Sequence, residues 1–262
     1  MAVKDKIIAI GGRDVDGAFA ETRWLTLRHA TSKWQRGPDL PAPLFALVGD
    51  IRSETIYVLT DPHAVIDGQP SRVPPSSLWA WDTSSEDGSW IQISQAPDPE
   101  IGFRAAAVAG GKLVLFGGAA LDAARELKLR DTVWIFDLQT HQWSAGQHLP
   151  VPLRDSSAIS LDGRFILLAG GVEEAANPQQ ATEQSPRIIL TNRCLIYDVV
   201  ADEFASAEPL RLAVADHGLA LRSSEVLIIA GEDSPYRTRT DLVQVGHWPA
   251  SGKWSGSASR DE

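Results

Sequence analysis

The sequence predicts an all-β fold built from repeated four-stranded units, and three observations support this. Short apolar runs recur along the chain and end in a glycine pair or a turn. Each run is followed by an alternating strand, a polar turn and an aromatic residue. Glycines and prolines separate short segments throughout the 262 residues. Many short strands bounded by turn residues at regular spacing are typical of all-β domains.

The apolar runs set the repeat. In each unit the run forms the second strand, and a small-residue strand precedes it, as in residues 104–118. Double glycines allow the backbone to turn tightly, with positive φ where a turn requires it. The runs occupy residues 7–12, 56–61, 113–118, 166–171 and 227–232.

The alternating strands and their closing aromatics form the second half of each unit. These segments are residues 24–34, 78–90, 133–143, 194–204 and 242–254. A large side chain is expected to fill the widening gap between neighbouring sheets. Most of the nine tryptophans are therefore predicted to lie in the core. The closing aromatics are Trp34, Trp90, Trp143, Phe204 and Trp254, and the prolines that follow them are Pro41, Pro97, Pro150 and Pro209.

A period near 50 with four strands per unit resembles the kelch repeat, whose fold is a β-propeller. The resemblance covers residues 7–254, and it implies a single domain over residues 1–262. Thr60-Asp61 replaces Gly-Gly in one unit, and Phe204 replaces tryptophan in another. Residues 119–131 are interpreted as a long loop with at most a turn of helix. The units are expected at about 1–41, 42–99, 100–152, 153–211 and 212–254.

The number of blades stays open between two alternatives. Five blades are recognisable, but only four have a complete inner strand, because the chain begins at the apolar strand of the first unit. Either five blades close, with residues 255–262 supplying the missing strand, or the chain is an incomplete six-bladed propeller that lacks its first blade.

Composition excludes several classes of partner and site. The net charge of −10 disfavours nucleic acid and anionic membranes. No stretch reaches 18 apolar residues, so no membrane span is expected. The single cysteine, Cys194, is predicted to be a small apolar residue in a strand. The N-terminus lacks a signal peptide, which predicts a cytoplasmic protein, or a periplasmic or secreted one if an upstream leader is missing.

The fifth apolar run raises the question of a functional site. Aligned on the other glycine pairs, Glu232 takes the place of the second glycine, and Arg237 and Arg239 follow it. A surface ion pair is one interpretation of these charges. The other is a binding site near the propeller axis, where arginine recognises a carboxylate bidentately and glutamate exchanges a hydroxyl proton.

A second group of candidates lies where the inner strands begin. Alignment from the glycine pairs places Arg104, then Arg154 or Asp155, then His217 at a similar register. These hydrogen-bonding groups are expected to surround one axis. For each of them, a loop-capping role is as reasonable an expectation as substrate binding.

Residues 227–245 resemble the last-blade signature of the N-acetylneuraminate epimerase family, the sialic acid mutarotases. The resemblance rests on an apolar strand, Gly-Glu, a nearby proline, and arginine followed by threonine. It implies that Glu232 and Arg239 are the essential pair, although one extra residue separates them and makes Arg237 a rival. It also implies interconversion of sugar-acid anomers without metal, nucleotide or other cofactor.

Two alternatives to an enzyme remain at this point. Kelch propellers commonly bind peptides or proteins, so the first alternative is a non-catalytic binding module. The second is an inactive, degenerate paralogue of the enzyme. Copper-dependent oxidase chemistry of the galactose oxidase type is disfavoured by one cysteine and three tyrosines. The six histidines are scattered without metal-ligand spacing, and no nucleotide-binding loop is expected.

Overall fold

The computed structural model describes most of the chain as short antiparallel strands. Side chains of residues 2–3, 47–52, 63–66 and 69–72 are not described. No helix occurs in the described ranges, so the all-β prediction is confirmed. These ranges are residues 2–3, 5–11, 21–27, 32–41, 47–52, 54–60, 63–66, 69–72, 75–85, 88–124, 126–176, 187–234 and 238–248.

The chain divides into two compact units, residues 1–102 and 103–262. In the first unit, two four-stranded sheets have the orders β1-β2-β3-β4 and β5-β6-β9-β10, and β7-β8 is a separate hairpin. The two-residue β1 takes the inner position of the first sheet, where the sequence predicted no strand. The strands are β1 (Ala2–Val3), β2 (Lys6–Ile10), β3 (Thr22–Thr26), β4 (Gln35–Arg36), β5 (Leu47–Arg52), β6 (Thr55–Thr60), β7 (His63–Ile66), β8 (Gln69–Arg72), β9 (Ser77–Asp82) and β10 (Ile91–Gln95).

Tryptophans form much of the core in the first unit. Trp81 stacks on Trp24 at 5.8 Å and contacts Trp90 at 5.7 Å between ring centroids. The indole of Trp90 also donates a hydrogen bond to the carbonyl of Pro38. Trp90 therefore joins its own sheet to the preceding one, as predicted for a closing aromatic. Trp34 differs, since it is 48% exposed.

The second unit contains two four-stranded sheets and one sheet of three described strands. Their orders are β11-β12-β15-β16, β17-β18-β21-β22 and β23-β24-β25. Hairpins β13-β14 and β19-β20 follow the second strands of the first two. The strands are β11 (Ala105–Ala109), β12 (Lys112–Phe116), β13 (Ala119–Leu121), β14 (Leu127–Leu129), β15 (Val133–Asp137), β16 (Gln142–Ala145), β17 (Ser157–Ser160), β18 (Phe165–Ala169), β19 (Val172–Glu174), β20 (Ile188–Leu190), β21 (Cys194–Asp198), β22 (Glu203–Ser206), β23 (Gly218–Arg222), β24 (Glu225–Ile229) and β25 (Val243–His247).

Hairpin β13-β14 corrects one expectation. The segment 119–131, interpreted as a loop with at most a helical turn, contains two paired strands. Its tip is closed by Asp122, whose carboxylate accepts a hydrogen bond from the amide of Glu126. The alanine-rich composition suggested helix, but pairing across the turn satisfies the backbone groups instead.

Apolar side chains from adjacent sheets fill two continuous cores in the second unit. Phe204 contacts Phe116 of the preceding sheet and Tyr197 of its own sheet, at 6.2 and 4.8 Å between centroids. Phe204 therefore replaces the usual tryptophan without loss of the contact between sheets. Trp248 is buried against Phe165. Trp254, the predicted closing residue, lies outside the described residues.

Cys194 is buried on β21 and belongs to the same apolar core as Ile196 of that strand. Burial raises the pKa of its thiol to about 12, which leaves it uncharged and unreactive at neutral pH. This agrees with its interpretation as a small apolar core residue. In the part of the chain that the structure describes, no helix is long and apolar enough to cross a membrane.

Candidate active site

The residues after β12, β18 and β24 define the register of the repeat. Each strand is followed by two residues with positive φ, first near +57° and then above +100°. The amide of the first residue in each pair donates to the carbonyl of the residue directly before the third strand of its sheet. The pairs are Gly117-Gly118, Gly170-Gly171 and Ala230-Gly231.

This register corrects the alignment of the fifth unit. Ala230, with φ of +56°, occupies the first glycine position, and Gly231 occupies the second. Glu232 therefore does not replace a glycine. It is the first residue after the pair, equivalent to Ala119 and Val172, as the hydrogen bonds of the hairpins show. The sequence favoured the other alignment because a non-glycine residue rarely adopts this conformation.

Replacing Ala230 with glycine is expected to stabilise the protein. The left-handed conformation costs alanine roughly 1–2 kcal/mol, and glycine adopts it without that penalty. Greater freedom of glycine in the unfolded chain offsets part of the gain, so the net change is about 0.5–1 kcal/mol. Urea unfolding of the wild type and Ala230→Gly measures it. A lower midpoint in the variant would contradict the assignment of Ala230 to the glycine position.

Glu232 and Arg239 lie directly opposite each other in the hairpin that follows β24. The amide of Asp233 donates to the carbonyl of Thr238 at 3.0 Å, and the amide of Thr240 donates to the carbonyl of Gly231 at 3.0 Å. These bonds make Glu232 and Arg239 a non-hydrogen-bonded pair, with Cα atoms about 4.5 Å apart and both side chains on one face.

The same position is apolar in the two preceding hairpins. Ala119 opposes Leu129 in β13-β14, and Val172 opposes Leu190 in β19-β20. The last hairpin thus presents a carboxylate and a guanidinium where its neighbours present apolar pairs. A close pair of unlike charges at a position that elsewhere needs none indicates a specific role for this hairpin.

Glu232 and Arg239 do not form an ion pair with any group in the described ranges, although they share a face. Glu232 is half-buried and Arg239 is exposed. Charges on the neighbouring hairpins do pair: Lys128 binds Glu126 at 2.7 Å, and Glu173 binds Arg193, which lies just after its hairpin, at 3.1 Å. The carboxylate and guanidinium of the last hairpin therefore have no charged partner among the residues that the structure describes. Arg237 lies outside the described residues.

The starts of the inner strands are joined by backbone hydrogen bonds. The amide of Asp155 donates to the carbonyl of Phe103 at 3.0 Å, and the amide of Asp216 donates to that of Asp155 at 3.1 Å. All three residues have positive φ, between 50° and 58°. Sequence reasoning missed this common feature, although two aspartates, which tolerate positive φ, were its signal.

The residues that directly follow Phe103, Asp155 and Asp216 occupy the position at which the sequence predicted substrate-binding side chains. The structure brings Arg104, Ser156 and His217 to equivalent positions before β11, β17 and β23. Arg154 lies two residues earlier, so its predicted register is wrong. Its backbone pairs with Val172, as that of Ala215 pairs with Glu232.

Arg154 is already engaged within the protein. Its guanidinium forms an ion pair with Asp155, and it lies 5.6 Å from the centre of the Phe103 ring. The side chains of Arg154 and Asp155 are 12% and 10% exposed. A partner that neutralises Arg154 in a buried place favours a role in supporting the strand starts. Arg104 is also buried, at 4% exposure.

His217 is buried between two neighbouring sheets, at 6% exposure. Among the described residues, neither ring nitrogen has a hydrogen-bond partner. Burial lowers the pKa of its imidazole to about 4, so the ring is neutral at neutral pH. The residue that the sequence assigned to substrate binding therefore has no nitrogen exposed to a ligand in this conformation.

Comparison with known proteins places this architecture in a class. A solved structure described as "Structure of YjhT" superposes with a TM-score of 0.65 at 18% identity, covering 86% of this chain and 69% of that chain. Human Kelch-like protein 38 is 24% identical over 168 residues, 63% of this chain and 26% of that protein. No protein-family model matches the sequence. The fold is a kelch-type β-propeller.

Within that class, several curated relatives are named N-acetylneuraminate epimerase. The N-acetylneuraminate epimerase of Yersinia enterocolitica is 27% identical over 195 residues, 65% of this chain and 50% of that protein. That of Vibrio vulnificus is 34% identical over 98 residues, 36% of this chain and 26% of that protein. This chain is related to the N-acetylneuraminate epimerases, and it spans half or less of the length of these two relatives.

Proposed function

We propose that this protein is a mutarotase of sialic acid or a closely similar sugar acid, with the last hairpin as its catalytic centre. The observation that carries the proposal is the Glu232–Arg239 pair, two unlike charges on one face without an ion pair between them. The relationship to proteins named N-acetylneuraminate epimerase supports the choice of substrate.

The chemistry needs one anion-binding group and one proton carrier. Arg239 binds the sugar carboxylate through paired N–H donors, which fixes the orientation of the ring. Glu232 takes the proton of the anomeric hydroxyl as the bond between the anomeric carbon and the ring oxygen breaks, and it delivers this proton to the ring oxygen. The freed hydroxyl then attacks the other face of the carbonyl, and Glu232 carries its proton back to the carbonyl oxygen, which restores the carboxylate. No bond to the protein forms.

The half-buried environment of Glu232 suits this role. The protein partly screens the Glu232 side chain from water, and its exposed partner Arg239 remains accessible to a substrate from solution. General acid–base help of this kind accelerates a reaction roughly 10²- to 10⁴-fold. Paired backbone holds the two groups opposite each other, which limits misalignment.

The experiment follows anomer interconversion by proton NMR after α-N-acetylneuraminate is released into buffer. The wild-type protein is expected to bring the anomers to equilibrium faster than buffer alone. N-acetylmannosamine, which lacks a carboxylate, is the matched substrate and is expected to show no acceleration. A rate equal to that of buffer for both sugars would contradict the proposal. Equal acceleration of both would contradict the role of Arg239.

A protein or peptide partner remains the second candidate, supported by the likeness to a human kelch-like protein. The openness of Arg239 on the last hairpin is compatible with a peptide carboxylate as well as with a sugar. Specific capture of a peptide that competes with the sugar acid, without any anomer interconversion, would favour this candidate over the enzyme.

A further inference from the structure

His217 lies between the sheets β17-β18-β21-β22 and β23-β24-β25, in a gap that glycine residues keep open. A Cβ atom on Gly170 would lie 2.8 Å from Cε1 of His217, and one on Gly231 would lie 2.8 Å from Cβ of His217. The hydroxyl of Ser157 donates to the carbonyl of His217 at 2.5 Å. Gly170 therefore confines the imidazole, and Gly231 packs against the Cα and Cβ atoms of His217.

Backbone hydrogen bonds join the segment before His217 to the start of the last hairpin. The amide of Glu232 donates to the carbonyl of Ala215 at 2.8 Å, and the amide of Ala215 donates to the carbonyl of Glu232 at 3.0 Å. Gly231 lies against His217 itself. A displacement of His217 that moves its Cα or Cβ atom therefore acts on the backbone that positions Glu232.

Several charged groups belong to the elements around this ring. Asp216 precedes it, Glu232 follows Gly231, and Asp155 is paired with Arg154 at the neighbouring strand start. Among the described residues, none of these charged groups forms a hydrogen bond with either ring nitrogen of His217. Burial accounts for its low pKa. A proton on this ring would create two buried N–H donors and a charge without an acceptor, which the surroundings do not tolerate.

We propose that the neutral imidazole of His217 positions the Glu232 hairpin, and that protonation of His217 releases this hairpin and switches the site off in acidic solution. His217 is then a positioning residue and does not touch the substrate. The link to activity rests on the proposed function, whereas release of the hairpin is measured without any substrate.

The pKa of His217 in the closed and released hairpin decides the direction in which pH changes the released population. The closed hairpin holds His217 with a pKa of about 4, and the released form exposes an imidazole of ordinary pKa near 6.5. Protons therefore bind the released form more tightly, and release increases as the pH falls from about 6.5 to 4. Between pH 7 and pH 5, the released population is expected to rise on the order of 20-fold.

Amide hydrogen exchange tests the release directly, after correction for the intrinsic pH dependence of exchange. The amides of Glu232, Ala215 and Thr240 in the wild type are expected to exchange on the order of 20-fold faster at pH 5 than at pH 7. In His217→Leu this pH step should disappear, because leucine fills the gap and does not titrate. His247→Leu, an exposed histidine on β25, is the matched control and should keep the step.

His217→Asn serves as a second non-titrating variant if leucine disturbs folding, and the wild-type measurement stands alone in any case. A wild-type hairpin whose corrected exchange does not depend on pH would overturn the proposal. So would a pH step that persists in both His217 variants.

Activity provides the second readout. In the wild type, kcat for anomer interconversion is expected to fall as the pH is lowered towards 5, and His217→Leu should retain its pH 7 rate there. A His217→Leu enzyme whose main defect is a raised KM at pH 7 would instead indicate contact with the substrate and overturn the positioning role. If no protein variant shows mutarotase activity but the exchange step is present, the proposed function fails and the hairpin release stands.

Discussion

Glu232→Gln is expected to reduce the catalysed rate of anomer interconversion roughly 10²- to 10⁴-fold, the range that general acid–base catalysis contributes. Glutamine keeps the size and the hydrogen-bonding reach of the side chain but cannot carry the proton. The fold should be unaffected, because the backbone bonds of Glu232 to Ala215 do not involve its carboxylate. Loss of rate with unchanged stability is therefore the expected pattern, measured by NMR anomer exchange and by urea unfolding.

Glu225→Gln is the matched control for this substitution. Glu225 begins β24, the strand that leads to Glu232, and lies at its opposite end, where it pairs with the exposed Arg222. Its removal should leave the rate unchanged. A Glu232→Gln protein as active as Glu225→Gln would contradict the assignment of Glu232.

The two arginines are separated by the same assay. Arg239→Gln is expected to lower kcat/KM roughly 10- to 100-fold, mainly through KM, because charge-assisted hydrogen bonds to the sugar carboxylate are lost. Arg237→Gln should have the smaller effect. The reverse order would assign the carboxylate to Arg237 and would contradict the pairing of Glu232 with Arg239 as the functional unit.

Gly171→Ala is expected to destabilise the second unit by roughly 3–5 kcal/mol, from backbone strain and overpacking together. Gly171 has φ of +106°, a conformation that residues with a side chain rarely adopt. Its Cβ atom would also lie 2.6 Å from the carbonyl oxygen of Arg154 and in contact with the hydroxyl of Ser156. Because the carbonyl belongs to the backbone, it cannot move aside cheaply.

Gly163→Ala separates the cost of backbone strain from the cost of a steric clash. Gly163 also has positive φ, +82°, but no atom lies within 4 Å of where its Cβ would be. Its substitution should cost only about 1 kcal/mol, from conformation alone. Denaturant unfolding of both variants, followed by circular dichroism, measures the difference. Equal midpoints for the two proteins would contradict the packing of Gly171 against the start of the inner strand.

The strands of the second unit were predictable from sequence because apolar runs, glycine pairs and closing aromatics recur in a fixed order. Phe204 was also recognised, since any large aromatic fills the gap between sheets. Hairpin β13-β14 was not, because the alanines and charged residues of 119–131 carry no strand alternation. Its strands are held by backbone pairing, which residue type does not reveal.

The candidate site was predictable in part. Glu232 and Arg239 were identified as a pair, and the structure places them opposite each other. Their register was misjudged because the positive φ of Ala230 is not visible in its residue type. Arg154 was placed at the wrong position for a related reason: the alignment counted back from glycines, whereas the strand start is fixed by the positive φ of Asp155. The burial of the His217 ring nitrogens required coordinates.

A crystal structure of the protein soaked with N-acetylneuraminate tests the central claim most directly. We expect the sugar carboxylate within hydrogen-bonding distance of the Arg239 guanidinium, and the Glu232 carboxylate within reach of the anomeric hydroxyl or the ring oxygen. Sugar bound away from the last hairpin, with Glu232 and Arg239 both directed away from it, would contradict the claim.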